Sequence, residues 1–132
     1  MDGYRYLAAQ LKALGHPDRL RVMLALQREG EACVCHLEAL LGIRQATLSQ
    51  HLARLRDAGL VSDRRDGMNV YYSLVGEAVA ELLACAQRAA LASTAEPLAF
   101  APLPPADSLD CCCPRCLEAR ERSAPARQPQ GT

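Results

Sequence analysis

The sequence predicts a mainly α-helical domain with a small β-hairpin, followed by a proline-rich tail. Apolar residues recur at helical spacing through most of residues 4 to 92, which indicates short packed helices. Between residues 60 and 74 the pattern changes to alternation around an Asp-Gly pair, which is typical of a hairpin. Seven of the eight prolines lie beyond residue 93 and exclude long regular elements there. We therefore predict a folded domain over 1–92 and a flexible tail over 93–132.

The first two helices are separated by a break at Gly15 and His16. Helical apolar spacing predicts the first over residues 4 to 14. Pro17 suits the first position of the second helix and Asp18 its first turn, because that turn lacks hydrogen-bond partners and is electropositive. The second helix is expected to end near Glu29, before a glycine.

A third helix, from Cys33 to Leu41, and a fourth, over residues 45–57, are separated by a glycine-containing turn. Two short helices joined in this way form a helix-turn-helix. Residues 60–64 and 69–74 alternate as strands, and Asp66-Gly67 is a two-residue hairpin signal, so this segment is predicted to be a wing.

The final predicted helix, residues 77–92, has apolar residues on most of its sides. A monomer needs only one buried stripe on such a helix, so we expect it to pair with a second copy, together with the first helix. The predicted fold is therefore a homodimeric winged helix-turn-helix.

Charge and cysteine content narrow the classes of protein. The 132 residues carry 15 basic and 15 acidic side chains. This balance excludes a nucleic-acid-binding surface that is basic throughout but not a local basic patch. No apolar run is long enough for a membrane span and the N-terminus lacks a signal-peptide layout, so we expect a cytoplasmic protein without a membrane partner. In that reducing compartment, the seven cysteines are expected to be thiols rather than disulfides.

A basic patch is predicted on the fourth helix and the wing. Residues 44–65 contain five basic side chains against two acidic ones. Amide, hydroxyl and guanidinium groups suit base edges and phosphates. The predicted DNA-contacting residues are Arg44, Gln45, Thr47, Ser49, Gln50, Arg54, Arg64 and Arg65. His51, which lies among them, is interpreted as a packing or DNA-contacting residue.

Four segments occur in the order and spacing of one known family: LKALGHPDRLRVMLAL, EACVCHL, QATLSQHLARLRDAGLV and RRDGMNVYYSL. Over about residues 5 to 92 the chain resembles the ArsR/SmtB family of metal- and metalloid-responsive repressors. The resemblance implies a homodimer that binds operator double-stranded DNA and leaves it when an inducer binds. It does not suggest an enzyme.

The arsenic-sensing branch of that family carries a Cys-Val-Cys motif whose thiols match Cys33 and Cys35. Two departures are visible: Glu38 stands where a third cysteine is often found, and His36 replaces the usual aspartate. The zinc-sensing branch uses histidines on the last helix, whereas residues 76–92 contain none. The resemblance therefore implies As(III) or Sb(III) as inducer, with no permanent cofactor.

The motif can work as a switch for physical reasons. As(III) and Sb(III) are soft and prefer thiolates, three of which they hold in a pyramid. Residues two apart in a helix point about 200° apart, so Cys33 and Cys35 cannot bind one ion without distortion. A helix N-terminus unwinds most easily and favours thiolates, so binding is expected to deform the third helix. Cys85, alone on an apolar helix, is interpreted as a core or interface residue.

The tail contains further thiols, in the segment DCCCPRCLE. Its predicted metal ligands are Cys111, Cys112, Cys113 and Cys116. These thiols either complete the Cys33–Cys35 site or form a second site, and the sequence leaves both open. Two alternatives also remain: a Cd(II)-, Pb(II)- or Zn(II)-responsive repressor using the same thiols and His36, and a thiol-redox protein using Cys113 and Cys116.

Overall fold

A computed structural model describes residues 1–105, 117–118 and 121–122. Within residues 1–105 the elements in chain order are α1 (Gly3–Leu14), α2 (Pro17–Glu29), β1 (Ala32–Cys33), α3 (Val34–Leu41), α4 (Gln45–Asp57), β2 (Val61–Asp66), β3 (Asn69–Leu74) and α5 (Glu77–Ala92). The predicted bounds of α2, α4 and α5 are confirmed. None of the helices in the described part of the chain is long and apolar enough to cross a membrane.

The turn between α3 and α4 depends on one glycine. Gly42 has φ 68° and ψ 22°, a left-handed conformation, and its N–H donates to the Glu38 carbonyl. A side chain at this position would be strained, whereas glycine adopts the conformation freely. Because the chain reverses here, α4 begins only three residues later and packs against α3, forming the predicted helix-turn-helix.

The prediction that the third helix starts at Cys33 was wrong. Ala32 and Cys33 form the short strand β1, which pairs antiparallel with β3, and α3 begins at Val34. The sheet therefore has the order β1-β3-β2. A two-residue strand shows no alternation that a sequence pattern could reveal, and its partner strand is far along the chain. Cys33 therefore belongs to the sheet edge as well as to the start of the helix.

The hairpin is confirmed, but its turn lies one residue later than expected. β2 runs from Val61 to Asp66 rather than over residues 60–64, and Asp66 pairs with Asn69. The turn residues are therefore Gly67 and Met68, with Gly67 at φ 62°. Glycine with positive φ at the first turn position is what a type II′ hairpin requires.

The core lies between α2, α3, α4 and the base of the hairpin. Its largest fully buried side chains are Val22, Met23, Leu26, Leu37, Leu48, Leu52, Leu55 and Leu60. By contrast, the apolar residues of α1 remain largely outside it: Leu7 is 47% exposed and Leu11 48%. On α5, Leu91 is 49% exposed and only Leu83 is buried. Within the described residues, much of the apolar surface of α1 and α5 thus stays exposed, as the predicted dimer interface requires.

The chain beyond α5 turns back onto the domain. Leu103 is partly buried against the core, and Arg28 of α2 donates from Nη1 to the Leu103 carbonyl oxygen at 3.1 Å. Phe100 lines a cavity of about 360 Å³ with residues of α2 and α5. The first part of the proline-rich region is therefore attached to α2, while the domain boundary at residue 93 stays a prediction.

Candidate nucleic-acid interface and thiol site

The exposed face of α4 carries most of the side chains predicted to contact DNA. Leu48, Leu52 and Leu55 are fully buried, and they fix which face of α4 packs inward. The exposed positions of the helix include Gln45, Thr47, Ser49, Gln50 and Arg54. Side-chain amides can pair with adenine, guanidinium groups with guanine or phosphate, and hydroxyls with either. The helix can therefore present a mixed set of base-reading groups to a DNA groove.

Arg44 occupies the N-cap position of α4. Its backbone is extended, its side chain makes no capping hydrogen bond, and the residue is exposed. The N-terminus of a helix carries a partial positive charge and unpaired N–H groups, which favour a phosphate. The Arg44 guanidinium adds a full charge at the same end of the recognition helix.

The two wing arginines face opposite sides of the hairpin. Arg64 lies opposite Tyr71 and Arg65 opposite Val70 in the β2–β3 register. The Arg64 guanidinium donates to both carboxylate oxygens of Glu31, at 3.1 and 2.6 Å, and lies 5.0 Å from the Tyr71 ring centroid. The hydrogen bond to Glu31 raises the pKa of Arg64 above its ordinary value. Arg64 is therefore held by the domain, whereas Arg65 is exposed on the other face.

The basic excess of residues 44–65 is partly neutralised within the fold. Arg56 forms an ion pair with Asp63 at 3.2 Å, and Arg64 is paired with Glu31. Arg44, Arg54 and Arg65 have no ion-pair partner among the described residues. Of the five basic residues between 44 and 65, these three are the ones that no described carboxylate neutralises.

Cys33 connects the sheet to α3. Its backbone pairs with Tyr71 of β3, and its Sγ accepts a hydrogen bond from the His36 N–H at 3.4 Å. The thiol thus caps α3 from the N-cap position, where the first N–H groups have no helical partner. The residue is 5% exposed. A ligand of this thiol must therefore reach a buried sulfur that also caps a helix.

Cys35 lies in the first turn of α3 and, unlike Cys33, is exposed. The two thiols therefore have different surroundings, and because Cys33 lies outside the helix, the predicted divergence of two residues in one helix does not apply to this pair. His36 is buried, and its Nε2 is 3.6 Å from the Glu29 carboxylate. Among the described residues, Cys33 and Cys35 belong to no group of three potential metal ligands.

The remaining predicted thiol ligands, Cys111, Cys112, Cys113 and Cys116, lie outside the described residues. Cys85 is exposed on α5, so its interpretation as a core residue is wrong. A place in the dimer interface stays a prediction. Arg88 donates to its Sγ at 3.0 Å. The sheet in the described part of the chain is antiparallel throughout and contains no βαβ unit beside which a redox Cys-x-x-Cys would be expected.

His51 packs inward although it lies on the recognition helix. It is 8% exposed, and its ring centroid is 4.7 Å from that of His16. Burial lowers the pKa of His51 below its ordinary value, and His16 and Arg19 lower it further. Of the two roles interpreted from the sequence, the structure thus gives His51 the packing role.

Sequence reasoning missed Glu31 and Tyr71. Glu31 precedes the Cys-Val-Cys motif and binds the wing, and Tyr71 lies between Cys33 and Arg64 in the sheet. A buried aromatic in a strand is too common to indicate such a role, and no local spacing links Glu31 to Arg64. These contacts exist because β1 pairs with β3.

The helix-turn-helix, the wing and the polar face of α4 define a DNA-binding regulator of the winged helix-turn-helix class. The family model for bacterial regulatory proteins of the arsR family matches residues 16–63. The arsenic resistance regulator ArsR1 of Pseudomonas putida is 49% identical over 63 residues, which are 48% of this chain and 49% of that protein. The chain thus spans about half the length of this relative.

Solved structures agree with the fold. The homodimeric winged helix-turn-helix domain Mb0332 of Mycobacterium bovis, a possible ArsR-family regulator, is 34% identical with a TM-score of 0.63, over 68% of this chain and 82% of that one. The antimony-specific repressor AntR is 30% identical with a TM-score of 0.58, over 66% of this chain and 78% of that one.

The chain belongs to the ArsR family, which consists of DNA-binding transcriptional regulators and not of enzymes. Other similar members are named for different processes, among them a biofilm growth-associated repressor of Agrobacterium fabrum and a nodulation protein of Rhizobium meliloti. Family membership therefore leaves the inducer to be argued from this chain's own residues.

Proposed function

We propose that this protein is a cytoplasmic transcriptional repressor that binds operator DNA as a homodimer and is released by As(III) or Sb(III). The exposed polar face of α4 supports base contacts, and Arg44, Arg54 and Arg65 support contacts with phosphate or guanine. The exposed apolar residues of α1 and α5 support a dimer. A two-fold dimer places two recognition helices on successive half-sites of a palindrome.

The observation that carries the inducer proposal is the position of Cys33. Its sulfur caps α3 and its backbone belongs to β1, while Cys35, two residues later, is exposed. Thiolates are the ligands that soft As(III) and Sb(III) prefer. We expect that placing both sulfurs on one metalloid draws the thiol of Cys33 away from its buried cap. Binding therefore deforms the start of the first helix of the helix-turn-helix.

The same movement reaches the wing through the sheet. Cys33, Tyr71 and Arg64 lie side by side across β1, β3 and β2. Two residues before Cys33, Glu31 holds the Arg64 guanidinium. Displacing Cys33 therefore shifts both α3 and the strand that positions the wing. One bound metalloid would thus disturb both DNA-contacting elements.

A third thiolate is required for the metalloid, and we propose that the tail provides it. Arg28 holds the Leu103 carbonyl and also binds Glu29, whose carboxylate approaches His36 of α3. The tail is therefore held at Leu103, close to the residues that contact α3, the helix that carries Cys35. The eight residues from Leu103 to Cys111 can span at most about 29 Å, which limits the tail thiols to sites within that distance of Leu103.

The test is the fraction of operator bound by the full-length protein, measured against As(III), Sb(III), Cd(II) and Zn(II). We expect release by As(III) and Sb(III) at the lowest concentrations, with three sulfur neighbours in the arsenic absorption spectrum. Release by none of the four would overturn the inducer proposal while leaving DNA binding intact. Failure to bind any operator fragment from near its own gene would overturn the repressor itself.

A zinc- or cadmium-responsive repressor is the second candidate, and His36 favours it. His36 follows Cys35 and lies 3.6 Å from the Glu29 carboxylate, the kind of outer partner that metal-binding histidines have. Tetrahedral coordination by sulfur and His36 would then replace the arsenic pyramid. In the same titration, this candidate predicts release by Cd(II) or Zn(II) and a nitrogen neighbour at the metal.

A further inference from the structure

His16, Asp18 and His51 meet where the turn between α1 and α2 packs against α4. Their potential ligand atoms all lie within 4.8 Å of one another, and the two imidazole rings are tilted by 49°. His16 and Asp18 belong to the start of α2, whereas His51 comes from the middle of the recognition helix. Tertiary packing brings His51 to the other two groups, and the thiol site uses none of the three.

We propose that His16, Asp18 and His51 form a second metal site, for a divalent transition metal ion such as Zn(II). Two imidazole nitrogens and one carboxylate oxygen make a three-residue ligand set that zinc accepts, with water at the fourth position. The set lacks sulfur and therefore does not suit As(III). Ligand atoms around tetrahedral zinc are about 3.3 Å apart, given bonds of about 2.0–2.1 Å. Side-chain rotations that move each ligand atom by about 1 Å are therefore enough to form the site.

The surroundings make the site accessible but limit its affinity. The Asp18 side chain is 38% exposed, so an ion can enter from that side although His51 is buried. Arg21 Nη1 lies 3.4 Å from one oxygen of the Asp18 carboxylate and competes with an ion for that group. Arg19 and Arg54 act electrostatically on His51 and oppose a bound cation, whereas Asp18 favours it. The carboxylate of Asp18 is therefore the group on which metal affinity depends most.

Metal binding must also change the cap of α2. His16 accepts a hydrogen bond from the Asp18 N–H at Nδ1, so its ring proton lies on Nε2. Coordination through Nδ1 replaces that hydrogen bond, and coordination through Nε2 moves the ring proton to Nδ1, which then cannot accept. Zinc coordination is far stronger than one capping hydrogen bond, so the exchange is favourable. The Asp18 amide resonance should consequently shift when metal binds.

Metal binding at this second site is expected to stabilise the DNA-binding fold, whereas metalloid binding at Cys33 and Cys35 is expected to deform it. The three ligands already lie together in the folded domain, so metal binding ties the start of α2 to α4 without moving either helix. A ligand that binds only the folded state raises its stability. Zn(II) at this site should therefore raise the unfolding temperature and leave operator affinity within about twofold.

The experiment uses the full-length chain with Cys33, Cys35, Cys111, Cys112, Cys113 and Cys116 replaced by serine, and Co(II) and Zn(II) as probes. We expect cobalt absorption without sulfur charge-transfer bands, and zinc neighbours at about 2.0–2.1 Å without sulfur at about 2.3 Å. His51→Gln and Asp18→Asn should each weaken zinc binding at least about tenfold, since loss of even an outer partner costs that much. His16→Asn should do the same while keeping a capping side chain.

The matched control is Asp63→Asn, which removes a carboxylate of the wing and should leave zinc affinity unchanged. Circular dichroism and metal-free operator binding show whether each variant is folded. Should a histidine variant fail to fold, Asp18→Asn alone decides, because its side chain lies at the surface. Unchanged affinity in Asp18→Asn, or sulfur at the bound metal, overturns the proposal. Arsenite is absent from the experiment, so its result is independent of the inducer proposal.

Discussion

At the scale of single residues, Cys33 has a structural role that serine can take over. Its Sγ accepts from the His36 N–H, and serine is among the preferred N-cap residues. Cys33→Ser and Cys35→Ser should therefore bind operator with nearly unchanged affinity but no longer dissociate with arsenite. Cys33→Ala, which cannot cap, should in addition lose about 0.5–2 kcal/mol of stability. Gel-shift titration and thermal unfolding of the three variants measure these effects.

The double serine variant is the decisive one of that set. Release by arsenite at the wild-type concentration would place the sensing site wholly outside α3 and contradict the deformation of its cap.

Arg54 and Arg65 are the exposed cations from which DNA contacts are expected. Arg54→Ala should weaken operator binding by about 1–3 kcal/mol if the guanidinium reads a base, with loss of discrimination at that position. Arg65→Ala should weaken binding to all sequences and reduce the salt slope by about 1, as for a phosphate contact. Operator affinities across a salt series distinguish the two effects.

Arg56 provides the control for these variants, because it is already paired with Asp63. If Arg56→Ala costs as much affinity as Arg54→Ala, the ion pair with Asp63 does not keep Arg56 from DNA, and the distinction between paired and available arginines on α4 is wrong.

At the scale of elements, Glu31 couples the segment before β1 to the wing. Glu31→Gln removes the carboxylate that holds Arg64 and leaves that cation available to DNA. Operator affinity should rise at low salt, and the salt slope should steepen by about 0.9 for one additional phosphate contact. Glu81→Gln, an exposed position on α5, changes the net charge equally and should have little effect. An identical response of the two variants would exclude the coupling.

The junction between α4 and β2 depends on Gly59. This residue has φ 78°, and a Cβ there would lie 2.5 Å from the Tyr6 hydroxyl of α1. Gly59→Ala should therefore destabilise the domain by more than about 1 kcal/mol, through backbone strain and displacement of Tyr6. Gly67→Ala has a similar φ of 62° but open space around it, and isolates the backbone cost. Chemical denaturation of both variants measures the difference.

Tyr6→Phe removes the clashing hydroxyl, so combining it with Gly59→Ala should recover part of the lost stability. If Gly59→Ala is no less stable than Gly67→Ala, the contact of Tyr6 with residue 59 adds nothing to the cost of the substitution.

At the scale of the whole molecule, the tail is predicted to complete the metalloid site. Truncation after Ala106 removes the four tail cysteines but keeps Leu103 and its hydrogen bond with Arg28. Operator affinity should be nearly unchanged, while release should need much more As(III), because only two thiolates remain at each site. Arsenic absorption spectra should show fewer sulfur neighbours. Wild-type sensitivity with three sulfurs per arsenic would instead assign the third ligand to Cys85 or an external thiol.

The sequence predicted most of the architecture because its information is local. Helical periodicity located α2, α4 and α5, a glycine marked the end of α2, and an Asp-Gly pair located the hairpin to within one residue. The polar face of α4 followed from Leu48, Leu52 and Leu55, since three leucines at helical spacing determine the buried side. Cys33 and Cys35 were singled out by spacing and family resemblance, and their role as ligands stays a prediction.

What only the tertiary structure decided depends on contacts between distant segments. Pairing of β1 with β3 moved Cys33 from the helix to a strand edge, and it brought Glu31 to Arg64. Packing of α4 against the start of α2 turned His51 inward to meet His16 and Asp18. Periodicity and capping are set by neighbours within a few residues, so a sequence displays them directly. Strand pairing and side-chain convergence depend on how the whole core closes, which no local pattern records.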